Sequence, residues 1–130
     1  MEFVNPDALA RPVGYSHGAM ATGRLLAVAG QVGWDGKGRI VGEGFVAQFS
    51  RALANVIEVV RAAGGGPHHL IRLTIYVTAR KDYLASLNPL GEEYRRLMGR
   101  HYPAMTLVEV KGLLEPGAKV EIEGLAVLQG

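Results

Sequence analysis

Between Phe45 and Ala63 the apolar residues Phe45, Phe49, Ala52, Leu53, Val56, Val60 and Ala63 recur at helical spacing, and Gly64-Gly65-Gly66-Pro67 closes the run. Glycine just past the last turn, followed by proline, is a common helix stop. The spacing predicts an amphipathic helix with Gln48, Arg51, Asn55 and Glu58 on its wet side. Such a helix has one apolar stripe and needs a surface to cover.

The flanking segments supply that surface. Arg24 to Gln31 is rich in apolar residues and reads as a buried strand, pairing across a turn at Thr22-Gly23 with residues near His17 to Ala21. Gly33 to Gly44, with five glycines, reads as a loop or hairpin region. From His69 to Thr78, Ile71, Leu73, Ile75 and Val77 alternate with Arg72, Thr74, Tyr76 and Thr78, the pattern of a half-buried strand. Arg80-Lys81-Asp82 reads as a polar connection to a second helix, between about Tyr83 and Arg100, whose regular part follows Asn88 with Pro89 in its first turn. Strands at Met105 to Val110 and Lys119 to Leu128 finish the chain.

The expected fold class is α+β, a single domain spanning residues 1–130 in the order β-β-α-β-α-β-β, with a mixed sheet and two helices on one face. The last strand puts Val120, Ile122, Gly124 and Ala126 on one face and Glu121, Glu123, Leu125 and Val127 on the other. That second face is half apolar, too greasy for open solvent, which suggests packing on other subunits. The slightly positive mean hydropathy points the same way.

Charge and cysteine content exclude several classes. The chain has 14 basic residues against 12 acidic ones, and Arg80-Lys81 and Arg95-Arg96 are its only adjacent basic pairs, so there is no nucleic-acid stripe and RNA binding is not expected. Without cysteine there is no disulfide, thiolate catalysis or Cys-based metal site. No His/Asp/Glu group has convincing ligand spacing, so no metal and no other cofactor is expected. Gly64-Gly65-Gly66 follows a helix rather than preceding one, which argues against a phosphate cradle. No secretory signal or membrane-spanning run is visible, and a cytoplasmic protein is the default expectation.

Several short motifs occur in a common order: Gly14-Tyr15-Ser16, Val28-Ala29-Gly30-Gln31, Ala47-Gln48, Leu53-Ala54-Asn55-Val56 and Ala62-Ala63-Gly64. Val77, Asn88, Tyr94 and Tyr102-Pro103-Ala104 follow, and then Val108-Glu109-Val110 and Lys119 to Ala126, the most specific piece. In this the chain resembles the Rid family (reactive intermediate deaminases, YjgF-type) along nearly its whole length. The resemblance implies a chorismate-mutase-like fold and a homotrimer with small-molecule clefts between subunits. It also implies a tyrosine from the N-terminal motif, here Tyr15, an asparagine, here Asn88, and a glutamate that positions the attacking water, here Glu121.

Two expected polar groups are absent. Deaminating members of the family carry an arginine directly after Pro-Ala, which binds a substrate carboxylate; here Met105 stands in that place. The family's serine before Gly-Gln is here Ala29, ahead of Gly30. Arginine holds a carboxylate through two charge-assisted hydrogen bonds, and methionine offers no donor. Losing such a partner in a desolvated site costs about 2–5 kcal/mol, or roughly two to four orders of magnitude in binding. Weak or no activity on ordinary 2-imino acids is therefore expected, unless Arg72, Arg80 or Arg100 supplies the charge.

The same residues have plainer readings. Tyr15 fits a core cap, Glu121 an exposed strand acid, and Asn88 a helix N-cap that also lines the pocket. Glu109 reads as structural, and His17 is the one histidine close enough to the expected cleft to test for proton transfer. Three functions remain: a hydrolase or deaminase using Glu121-held water, a non-catalytic metabolite-binding or regulatory trimer, and, lowest, the endoribonuclease or translation inhibitor of the family's other labels.

Overall fold

A computed structural model describes residues 1–130. Its elements are β1 (Glu2–Val4), β2 (Gly18–Met20), β3 (Arg24–Val32), α1 (Phe45–Ala62), β4 (Leu70–Val77), α2 (Arg80–Leu84), α3 (Leu87–Met98), β5 (Ala104–Glu109) and β6 (Val120–Leu128). Four strands form a mixed sheet in the order β3-β6-β4-β5. The last strand inserts antiparallel between β3 and β4, while β4 and β5 run parallel. Both parallel relationships need a crossover helix, which is what α1 and α3 provide.

The two long helices lie on one face of the sheet. Phe49, Ala52, Leu53, Val56, Ile57 and Val60 of α1 and Leu90, Tyr94 and Met98 of α3 join Leu73, Ile75, Val120 and Ile122 in one core. A hydrogen-bonded surface network ties the helices together: Ser50 Oγ donates to Glu93 at 2.6 Å, and Arg96 pairs with the same carboxylate at 2.7 Å. The Arg96 and Ser50 hydrogen bonds hold Glu93 down to about 2.

The structure corrects several expectations. Residues 17–21 do not form a hairpin with 24–31; instead β2 pairs with β1, and β3 pairs with β6. Gly23 lies where the chain passes from one sheet to the other. A Cβ there would lie 2.0 Å from the Leu128 carbonyl oxygen, so the chain turns against the end of β6 and runs along it. Nor is β3 buried. It is an edge strand with only Val28 and Val32 in the interior, and Leu25 remains 69% exposed. Its apolar residues belong partly to the uncovered face.

On α1, Gln48 does not face water: it is fully buried, and its amide binds the Gly42 and Gly117 carbonyls and the Lys119 N–H. Asn55 is half-buried and donates to the carbonyls of Val32 and Trp34 at 3.2 and 2.9 Å. A register shift between Leu70 and Arg72 turns Leu70, rather than Ile71, into the core. The polar connection at Arg80-Lys81-Asp82 is the helix α2, whose first N–H donates to Glu109 Oε1 at 2.7 Å. Asn88 is not an N-cap. The Ser86 position precedes α3, the first turn already contains Asn88 and Pro89, and no side chain caps it.

Candidate functional site

The expected site residues fall into two groups, one on each face of the sheet. The first is built on a bulge. Between Val28 and Gln31 the β3–β6 register shifts, leaving Ala29-Gly30 out of regular pairing opposite Glu123, one pair away from Val32–Glu121. Bulges re-aim side chains, and this one makes room for a carboxylate. A Cβ at Gly30 would lie 2.2 Å from Glu121 Oε2 and 2.8 Å from its Cδ, so the glutamate side chain folds across the space the glycine leaves. The glycine does not have a positive φ; it is needed for space alone.

Helix α1 fixes the bulge from behind. A Cβ at Gly33 would meet the Gln48 Cα at 2.7 Å, so strand and helix are in backbone contact just beyond the bulge. The two Asn55 bonds hold the same stretch. Beside Glu121 runs a groove of about 360 Å³ lined by Gly30, Tyr76, Glu123, Val110 and the segment Gly112-Leu113-Leu114. Tyr76 donates its hydroxyl to Glu123, and that bond raises its pKa, with desolvation and the nearby carboxylates adding to it. The phenol therefore stays protonated as a donor.

The second group lies on the helix side. Met105 pairs in register with Leu73, and with Leu107 it packs against the core. Glu121 pairs with Tyr76 on the opposite face. Within one chain, Met105 and Glu121 cannot meet.

Met105 lines a cavity of about 240 Å³ with Val13, Gly14, Phe49, Tyr83, Leu90, Gly91, Tyr94, Arg95 and Tyr102 among its walls. The N-terminal motif is held beside it by Ser16, whose N–H donates to the Pro103 carbonyl at 3.1 Å and whose hydroxyl donates to the Tyr102 carbonyl at 2.6 Å. Tyr94 stacks on Tyr102 at 5.4 Å and donates to the His101 carbonyl at 2.6 Å; burial, then Tyr102, pushes its pKa up.

The other expected residues are placed as follows. Tyr15 is half-buried, its ring edge-on to His17 at 5.3 Å. The His17 ring is engaged elsewhere, with Nε2 2.7 Å from the Ala10 carbonyl, which ties down the N-terminal segment. Asn88 is exposed on the first turn of α3, next to the cavity-lining Leu87. Ala29 is exposed on the bulge. A wider depression of about 570 Å³ beside α2 holds none of these residues, and its carboxylate, Glu109, is already bonded to the α2 N-terminus.

None of the three arginines suggested by the sequence lines the Met105 cavity. Arg72 lies on the other face beside Thr74, and Arg80 and Arg100 are exposed. The arginine that does line it, Arg95, was missed. A signal for it exists: Leu87, Leu90, Gly91, Tyr94 and Met98 form the apolar stripe of α3, and Arg95 follows Gly91 by four residues on that stripe.

The fold is a mixed-sheet α+β domain, with the candidate site residues divided between the two faces of its sheet. The family model for endoribonuclease L-PSP matches residues 5–128. The chain belongs to that family, as its Rid-type motifs led us to expect.

Among its relatives, the 2-iminobutanoate/2-iminopropanoate deaminase of Salmonella typhimurium is 32% identical over 105 residues, 81% of this chain and 80% of that protein. A RutC family protein of Pyrococcus horikoshii is 31% identical over 96% of both chains. A crystal structure of a Rid family protein of unknown function from Yersinia pestis superposes with a TM-score of 0.87 at 33% identity, covering 98% of both chains.

Proposed function

We propose that this chain is a divergent Rid-type hydrolase that adds Glu121-held water to the C=N bond of an imine, or of an enamine after tautomerisation. Its cleft is shared between subunits of a homotrimer. The observation that carries this reading is the Glu121 carboxylate lodged in the Gly30 gap, with the protonated Tyr76 phenol nearby. A carboxylate fixed in this way can hold a water and take its proton as the oxygen bonds to the imine carbon. The C–N bond then breaks, nitrogen leaves as ammonia after gaining protons, and a carbonyl compound remains.

The naming of relatives as 2-iminobutanoate/2-iminopropanoate deaminases supports this reaction class. With Met105 and Ala29 in place of arginine and serine, turnover of 2-iminopropanoate and 2-iminobutanoate is expected to be slow. The same two changes favour a second reading, a trimer that binds a metabolite without turning it over.

The readings separate when imines are generated in situ from a panel of amino acids and their loss is followed. Wild type is expected to accelerate the loss of larger, less polar imines more than of 2-iminopropanoate, and Glu121→Gln to lower that rate about a hundredfold or more. Full turnover by Glu121→Gln would sink the hydrolase mechanism. Binding without turnover in wild type would establish the second reading.

A further inference from the structure

The geometry points to Arg95 as the anchor for a carboxylate carried on an apolar body, bound in the cavity beside Met105. Nine of the twelve residues lining that cavity are hydrophobic, and Arg95 is the only charged one. No carboxylate of the chain occupies its guanidinium: the two ion pairs present are Arg61–Glu58 and Arg96–Glu93. The neighbouring Arg96 is thus committed to tying α3 to α1, while Arg95, one residue earlier, is left to the cavity.

Gly91 gives Arg95 its position. A Cβ at residue 91 would lie 3.3 Å from Arg95 Nη1, so the guanidinium lies over the glycine one turn back, still exposed to solvent but on the cavity lining. An arginine laid against the mouth of an apolar cavity presents paired N–H donors to an anion whose body enters among Met105, Leu90 and Tyr102.

This deepens the proposed function by naming the ligand's chemistry, and it rests on that reading only for what happens to the ligand afterwards. An arginine at the strand position 105 would grip the carboxylate deep in the site. Arg95 grips it from the helix, at the rim, with an apolar wall between. That arrangement suits an acid with a sizeable hydrocarbon portion and serves the shortest 2-imino acids poorly.

The test is direct binding, without turnover, of 3-phenylpropanoate and of the neutral 3-phenylpropanamide to the full-length protein, by calorimetry and by amide chemical shifts at Gly91 and Met105. Wild type is expected to bind the acid at least about tenfold more tightly than the amide, with shifts at both residues. Arg95→Gln is expected to erase that preference. Arg95→Lys, which keeps the charge but not the fork, is expected to retain part of it. Equal binding of acid and amide, unchanged preference in Arg95→Gln, or no binding of either probe up to about 10 mM would each overturn the assignment. Because no turnover is read, an inactive protein leaves this assignment intact. Conversely, loss of acid binding leaves Glu121-dependent hydrolysis of a neutral imine intact.

Discussion

Gly30 shows what a sequence can and cannot reveal at the scale of one residue. Its motif, Val28-Ala29-Gly30-Gln31, was legible, but its reason was not, because that reason is a bulge in one strand and a side chain on another. A methyl group at position 30 would strike the far end of the Glu121 side chain rather than backbone, so the carboxylate can swing aside at little cost. We therefore expect Gly30→Ala to leave the unfolding free energy within about 1 kcal/mol of wild type. Imine hydrolysis should fall by an amount approaching that of Glu121→Gln, about ten- to a hundredfold. Measuring the urea midpoint and kcat/KM on the same preparation decides it. Unchanged kcat/KM would mean that the gap does not set the position of the carboxylate. Arg95 teaches the complementary lesson. Its place on the α3 stripe was readable, but a charged residue on an apolar stripe is easily assigned to solvent, and only the space over Gly91 shows where it goes.

Elements were legible where periodicity decides and illegible where long-range hydrogen bonds do. The α1 helix and its glycine stop follow from spacing, and so does the two-faced pattern of β6. By contrast, α2 has five residues and owes its N-terminal partner to Glu109, 29 residues further on. No local pattern announces that bond. Gln48 is the instructive case because its position and its polarity disagree. It falls on the buried stripe three residues after Phe45 and four before Ala52, and position prevails because its amide satisfies three backbone groups. Those bonds join α1 to the loop before it and to the residues entering β6. Gln48→Leu keeps the volume but strands two carbonyls and the Lys119 N–H, so it should destabilise the fold by about 2–4 kcal/mol in chemical denaturation. A loss under about 0.5 kcal/mol would show that water satisfies these groups instead.

The whole molecule has one covered and one uncovered sheet face, and the candidate site residues are divided between them. Leu25 and Val108 stand 69% and 40% exposed on the uncovered side, which also carries Glu121, Glu123 and Leu125. The sequence suggested a face kept for other subunits, and under the proposed function the division of Met105 from Glu121 would give that face a chemical purpose. If each cleft takes its glutamate from one subunit and its Met105 cavity from a neighbour, two inactive variants should rescue each other. Glu121→Gln removes the water-holding group, and Met105→Trp fills the cavity. Each homotrimer is expected to be inactive. In trimers reassembled from an equal mixture, a cleft works when its glutamate comes from the Met105→Trp chain and its cavity from the Glu121→Gln chain. Random assembly makes about a quarter of the clefts whole, so turnover should recover to about a quarter of the wild-type value. Light scattering should give a particle of three times the 13.9 kDa chain mass, and native mass spectrometry should confirm the mixing. A site confined to one chain gives no recovery whatever the mixture, so mixed trimers without activity would refute the shared cleft.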